Sequence, residues 1–162
     1  MQRLKPLSER GTVYISNSNL CNGKGVFANK DIKKDEIILV FHGDLIKADL
    51  TNIHSPYALQ LDFSLYLLPS GEGKFINHSC EPNCKLLLSN KQLFLIALRD
   101  IRKDEELCYN YNTSEYDMGV DAFVCSCNSK NCIKFIKGFK YLSKDQKQRI
   151  KDLLLPYLYN LV

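Results

Sequence analysis

No stretch of this 162-residue sequence approaches the roughly 20 apolar residues that a bilayer-crossing helix needs. The opening Met1-Gln2-Arg3-Leu4-Lys5-Pro6 lacks the apolar run of a signal peptide. Both absences set the expectation of an intracellular chain with no membrane partner. Charge of one sign is also scarce: 22 Lys and Arg against 18 Asp and Glu leave +4. That is too mild for a strongly basic nucleic-acid grip, so no direct sequence-specific nucleic-acid contact is expected. The glycine pair Gly23-Lys24-Gly25 leads into strand-like Val26-Phe27-Ala28 instead of a helix, which excludes dinucleotide and P-loop cradles on context. Alone, the pair marks a tight turn or a close backbone approach. A 45% hydrophobic, 25% charged chain of this length describes one soluble domain with a real core.

Cysteine, by contrast, is abundant. There are seven, an odd count, and without an export signal a disulfide framework is a poor explanation. Cys125, Cys127 and Cys132 crowd onto one polar loop, while Cys21, Cys80, Cys84 and Cys108 are scattered. A structural zinc takes four ligands. The trio supplies three, leaving the fourth to Cys80, Cys84, Cys108, Cys21 or a histidine, against the alternative of free surface thiols in a reducing compartment.

Short apolar runs bounded by turn formers predict strands at 25–28, 37–41, 57–61, 85–88 and 93–97, with Ser89-Asn90-Lys91-Gln92 as a hairpin turn. Residues 28–36 and 97–105 echo each other 69 positions apart, each with one Ile in a polar turn before a strand. Near the end, Ser143 and Gln146 form a capping box ahead of a helix carrying Ile150, Leu153, Leu154, Tyr157 and Leu158. Pro156 is expected to kink or end it near Leu155. Residues 100–121 hold seven acidic and two basic side chains between two basic stretches, either a solvated face or a guide for a basic partner.

Two further segments are dense in chemistry. Phe75-Ile76-Asn77-His78-Ser79-Cys80-Glu81-Pro82-Asn83-Cys84 reads, by itself, as a rigid turn that satisfies its own backbone. Glu105-Glu106-Leu107-Cys108-Tyr109-Asn110-Tyr111-Asn112 places two tyrosines on one face if extended.

In this order, residues 10–138 resemble the SET-domain protein lysine methyltransferases. Gly23-Lys24-Gly25-Val26 is similar to their opening loop, and His42 to Ile46 to the strand after it. Phe75 to Asn83 resembles the asparagine–histidine–serine–cysteine signature, and Glu106-Leu107 with Asn110-Tyr111 the closing motif. Cys125, Cys127 and Cys132 with Phe135-Ile136 resemble the post-SET tail. Gly138 to Leu142 and the helix after it look most like compact bacterial members. The resemblance implies a mainly β fold of small curled sheets (a β-clip) with a pseudoknot, divided into a SET domain at 10–112, a zinc-binding post-SET segment at 121–138 and a C-terminal helical extension at 139–162. A separate pre-SET module is not expected.

It further implies methyl transfer from S-adenosylmethionine to the ε-amine of lysine in a histone or other basic protein, in the cytoplasm or in the nucleus on chromatin. Gly23, Lys24, Gly25, Asn77, His78, Tyr111 and Phe135 would hold the cofactor. Tyr111, Tyr109 and Tyr57 would be the catalytic tyrosines, and Cys80 would join Cys125, Cys127 and Cys132 on Zn2+. A lysine that titrates near about 10.4 must lose its charge to react. Burial and the neighbouring sulfonium favour that loss without a dedicated base. Tyrosine at 109 implies mono- or dimethylation. Glu115, Asp117 and Asp121 are expected to attract a basic peptide. Departures from the family pattern are Asn110 for Asp, Phe41 for a channel tyrosine, Lys74 for Arg and Lys134 for Gly. The rival readings are a SET-fold binding module with little or no turnover, and a zinc or redox protein that reuses the fold.

Overall fold

The computed structural model of the chain describes residues 11–48 and 55–162. Met1 to Pro6, the first residue of the expected 10–112 unit and its 49–54 stretch lie outside the described residues. Within them, short strands, numbered in chain order, form four small sheets. The first has the order β1 (Val13–Asn17), β2 (Lys24–Ala28), β10 (Glu106–Tyr109), β7 (Asn77–His78). Its β10 runs antiparallel to β2 but parallel to β7. The second joins β3 (Ile37–Val40), β9 (Gln92–Ala97) and β8 (Cys84–Ser89), and the third β4 (Gly43–Lys47), β6 (Leu65–Pro69) and β5 (Leu59–Asp62). The pair β11 (Phe123–Val124) and β12 (Phe135–Ile136) carries the cysteine trio.

Each expected strand falls on an observed one, in whole or in part. The β8–β9 turn uses Asn90 and Lys91, both at positive φ (50° and 62°), which matches the twist of a two-residue hairpin. Inward side chains Val26, Leu86, Leu93, Leu95 and Leu107 make one core shared by the first two sheets.

The internal echo is a physical pairing. Ile32 and Ile101, each 1% exposed, exchange both backbone hydrogen bonds at 2.8 Å. The Asp31 carboxylate accepts from the Lys103 N–H at 2.8 Å, and Asp100 accepts from the Lys34 N–H at 2.9 Å. Asp35 and Asp104 both turn at φ 67°. Two copies of one turn therefore face each other and satisfy each other reciprocally.

The C-terminal segment departs from a single long helix. The capping box forms as expected, with Ser143 Oγ accepting from Gln146 N and Gln146 Oε1 from Ser143 N. The helix α1 (Lys144–Ile150) then tightens into a 3-10 turn, and Leu154 and Leu155 are extended. Pro156 opens a second helix, α2 (Pro156–Tyr159), where its missing N–H costs nothing. Breaking the helix frees Leu155 N to donate to Thr113 O at 2.9 Å and buries Leu155 and Leu158.

Ile32→Ala and Ile101→Ala should each cost about 2–5 kcal/mol in urea unfolding. Because the two side chains share one contact, the double variant should deviate from additivity by about 0.5–3 kcal/mol.

Candidate active site and metal centre

The loop between β1 and β2 is held by a carboxylate at the start of β10. Glu106 Oε1 accepts from Ser18 Oγ at 2.7 Å and Asn77 Nδ2 at 3.0 Å, and its Oε2 accepts from Asn19 N at 2.6 Å. Ser18 Oγ in turn accepts from Leu20 N and Cys21 N. Asn77 Nδ2 also donates to Lys24 O at 2.8 Å, so the glycine loop and the asparagine–histidine segment are one unit. Close approach explains Gly25: a Cβ there would lie 2.3 Å from Glu106 Oε1. The Lys24 ammonium points to Asn17 Oδ1 at 2.9 Å.

His78 sits under the same sheet. Its Nδ1 accepts from Tyr111 N at 3.0 Å, which leaves the proton on Nε2, 3.3 Å from Cys80 Sγ. Burial lowers its pKa to about 3, so the ring is neutral at physiological pH. Tyr111 donates its hydroxyl to Ile76 O at 2.8 Å. The two tyrosines do not share a strand, so the extended reading of this segment does not reach Tyr111. Tyr109 ends β10, whereas Tyr111 opens a 3-10 turn (Tyr111–Thr113) capped by Asn110, whose Oδ1 accepts from Asn112 N at 3.1 Å. An amide oxygen caps the turn as a carboxylate would, which accounts for Asn at this position. The tyrosine rings still meet, 4.9 Å apart.

Tyr57, Tyr109 and Tyr111 line one cavity of about 440 Å³, with Tyr66 and Glu115 on its wall. Burial holds the Tyr109 and Tyr111 phenols above their usual range. Tyr57 is half exposed, edge-on to Phe75 at 6.2 Å. Phe41 lies away from this wall, buried in the core beside Gly73, while Lys74 is on the wall with its ammonium 4.9 Å from the Phe75 ring. The three acids of the expected peptide guide have different surroundings. Asp117 is committed to Gly119 N, Lys140 Nζ and the Tyr141 hydroxyl, each at 3.1 Å. Asp121 is exposed, and Glu115 is half buried.

The cysteine trio finds its fourth member. The sulfurs of Cys80, Cys125, Cys127 and Cys132 lie within 4.8 Å of one another, with Cys80 4.0 Å from Cys125 and 3.9 Å from Cys132. Thiolates on one tetrahedral ion sit about 3.8 Å apart, so the donor set fits a single metal ion of that kind. The tail is also joined to the glycine loop, Ser126 Oγ donating to Leu20 O at 2.7 Å. Cys84 and Cys108 are buried elsewhere, and Cys21 is exposed. Phe135 is half exposed under the Lys137 ammonium at 5.1 Å, while the His78 ring meets Tyr111 and Phe123 edge-on at 5.3 and 5.7 Å.

Sequence reasoning missed Glu106, Ser18 and Gln60 as site residues. Glu106 stood in the closing motif, but nothing in the order of residues says that a carboxylate at 106 reaches the 18–20 loop. Gln60 is wholly buried and accepts from Tyr116 N at 3.0 Å, with its own N–H on Glu115.

Comparison with known proteins bears on this arrangement directly. The histone-lysine N-methyltransferase trithorax of Drosophila virilis is 34% identical over 131 residues, which is 71% of this chain and 3% of that protein. An H3 lysine-36-specific histone-lysine N-methyltransferase of Mycosarcoma maydis is 32% identical over 133 residues, 72% of this chain and 14% of that protein. The chain thus spans a small part of these relatives. A crystal structure of a candidate histone methyltransferase from Plasmodium falciparum superposes with a TM-score of 0.52 at 29% identity, covering 64% of this chain and 95% of that one. The SET-domain model itself matches residues 23–112, from the glycine loop to the turn that carries Tyr111. A match that long takes in more than half of the sequence, and the chain belongs to the SET-domain family.

Proposed function

We propose that the chain is a protein-lysine methyltransferase that uses S-adenosylmethionine and acts on a basic protein such as a histone. One observation carries the reading: three tyrosines converge on a cavity, and Tyr111 is bonded both to Ile76 O and to His78, the segment tied to the glycine loop. Bound S-adenosylmethionine supplies an electrophilic methyl group on a sulfonium. Gly23, Lys24 and Gly25 would hold it through backbone groups, with Asn77, His78, Tyr111 and Phe135 around it. The Tyr111 hydroxyl spends its proton on Ile76 O, so its oxygen presents lone pairs to positive charge. Catalysis in such a site is chiefly positioning of the amine against the methyl carbon. The Tyr109 hydroxyl restricts the room for a growing methylammonium, which supports one or two methyl groups per lysine.

Zinc on Cys80, Cys125, Cys127 and Cys132 would be structural, four thiolates leaving no open position. It would pin the tail to the residue two beyond His78, whose Nε2–H steadies the Cys80 sulfur. The division into 10–112, 121–138 and 139–162 follows the same reading, as does a nuclear or chromatin setting, which the names of the relatives support. A binding module without turnover is not favoured, because Asn77, His78 and Tyr111 are all present and mutually bonded.

Transfer of labelled methyl from S-adenosylmethionine to lysines of core histones tests the reading. Tyr111→Phe should lower the rate by about 100-fold, and mass spectrometry of the wild-type product should stop at the dimethyl stage. An unchanged rate in Tyr111→Phe would overturn the assignment. Chelation should release one zinc per chain and abolish transfer while the β-sheet circular dichroism of the core persists. Full activity of the metal-free chain would exclude a structural zinc.

A further inference from the structure

We infer that Glu115 is the proton acceptor of the tyrosine cavity, taking a proton from the incoming lysine ammonium where the family resemblance called for no dedicated base; this rests on the reading of the cavity as the lysine port. Glu115 lies on the cavity wall together with Tyr66, Tyr109 and Tyr111. Its backbone is fixed at both ends, N–H to Tyr111 O and C=O from Phe139 N, each at 2.8 Å. Its carboxylate is fixed on one side only. Oε1 accepts from Gln60 N at 3.1 Å and from Ser114 Oγ at 3.0 Å, and both of those residues are wholly buried. Among the described residues Oε2 has no hydrogen-bond partner, so one oxygen is held and the other is available.

A cation entering a partly desolvated cavity needs an opposing charge. Asp117 is already committed to Lys140 and Tyr141, and Asp121 is exposed at the surface, which leaves Glu115 as the half-buried carboxylate of the wall. Burial, with Asp121 adding to it, raises the Glu115 pKa to about 7. An ordinary carboxylate is too weak a base to hold a lysine proton near neutrality, and one titrating near 7 is matched to the task. The groups facing it are the phenols Tyr109 of β10, Tyr66 of β6 and Tyr157 of α2, together with Tyr111 and Tyr57. Phenols titrate near about 10 or higher and stay neutral here. The charged neighbours on the cavity wall are Asp121, Asp117 and Lys74 on the opposing turn, and Asp62 at the end of β5 lies near Tyr157.

In the step, one N–H bond of the ammonium breaks and an O–H bond forms on Glu115. The electron pair stays on nitrogen, which then bonds to the methyl carbon as the carbon–sulfur bond breaks. The proton leaves Glu115 to water as the product departs. The carboxylate is the active form, so kcat/KM rises with pH through the carboxyl pKa.

The test is the pH profile of methyl transfer to core histones by the wild type, Glu115→Gln and Glu115→Asp, with zinc content and melting temperature confirming fold. The wild type should show a limb near pH 7. Glu115→Gln should lose that limb and about 100-fold in kcat, with less change in KM, and Glu115→Asp should restore part of the rate. A limb that persists in Glu115→Gln, or a loss confined to KM, overturns the inference while leaving the lysine reading intact. If Glu115→Gln does not fold, the Glu115→Asp profile decides: a displaced limb supports the inference and an unmoved one overturns it. Absence of lysine methylation by the wild type would overturn the reading and the inference together.

Discussion

The side chain of Asn83 does for β10 what a neighbouring strand would otherwise have to do. Its Oδ1 accepts from Cys108 N at 2.9 Å and its Nδ2 donates to Glu106 O at 2.8 Å. β7 offers β10 only two residues, extended by one bond from Ser79 N to Tyr109 O, so the rest of the ladder on that side comes from one amide. Unpaired, each of those buried backbone groups would cost about 1–3 kcal/mol. With β10 placed, Glu106 reaches the glycine loop, Tyr109 faces the cavity, and Tyr111 turns back onto His78. The glycine loop, the tyrosine cavity and the cysteine cluster are thus positioned by one four-residue strand.

Much of this was legible in the sequence because the signals were local. The hairpin at Asn90-Lys91, the Ser143–Gln146 cap and the spacing of Cys125, Cys127 and Cys132 each depend on neighbours in the chain. The cavity tyrosines and Cys80 came from resemblance, since no periodicity connects residue 80 with residue 125. What stayed hidden depends on distance in space. Glu106 looks like one more acid in an acidic run until it is seen to collect Ser18, Asn19 and Asn77. β6 was not singled out, and nothing in the order of residues shows that the Asn110 cap turns Tyr111 off the strand into a 3-10 helix. Pro156 reads as a terminator, yet with Leu155 already extended it serves as a start.

The acidic segment shows why counting charge is a blunt guide. Asp100 caps a turn, Glu105 pairs with Arg99 at 2.8 Å, Glu106 organises a loop, and Asp117 holds the C-terminal extension. Most of the apparent negative field is spent inside the structure. The C-terminal extension belongs to the same frame: Leu155 N and the Tyr157 hydroxyl bind the carbonyls of Thr113 and Ser114, and Phe63 packs edge-on to Tyr116 and Tyr157 at 5.3 and 5.1 Å. It braces the back of the turn whose front faces the cavity.

The reciprocal turns around Ile32 and Ile101 also govern how the chain reaches this state. The two turns lie 69 positions apart in the chain, so their pairing is a non-local event paid for in chain entropy. The same matching makes the two halves templates for each other. A chain severed in the β8–β9 hairpin would leave one fragment with each turn, each exposing the edge that the other completes, and reassembly from two pieces becomes a property of the fold itself.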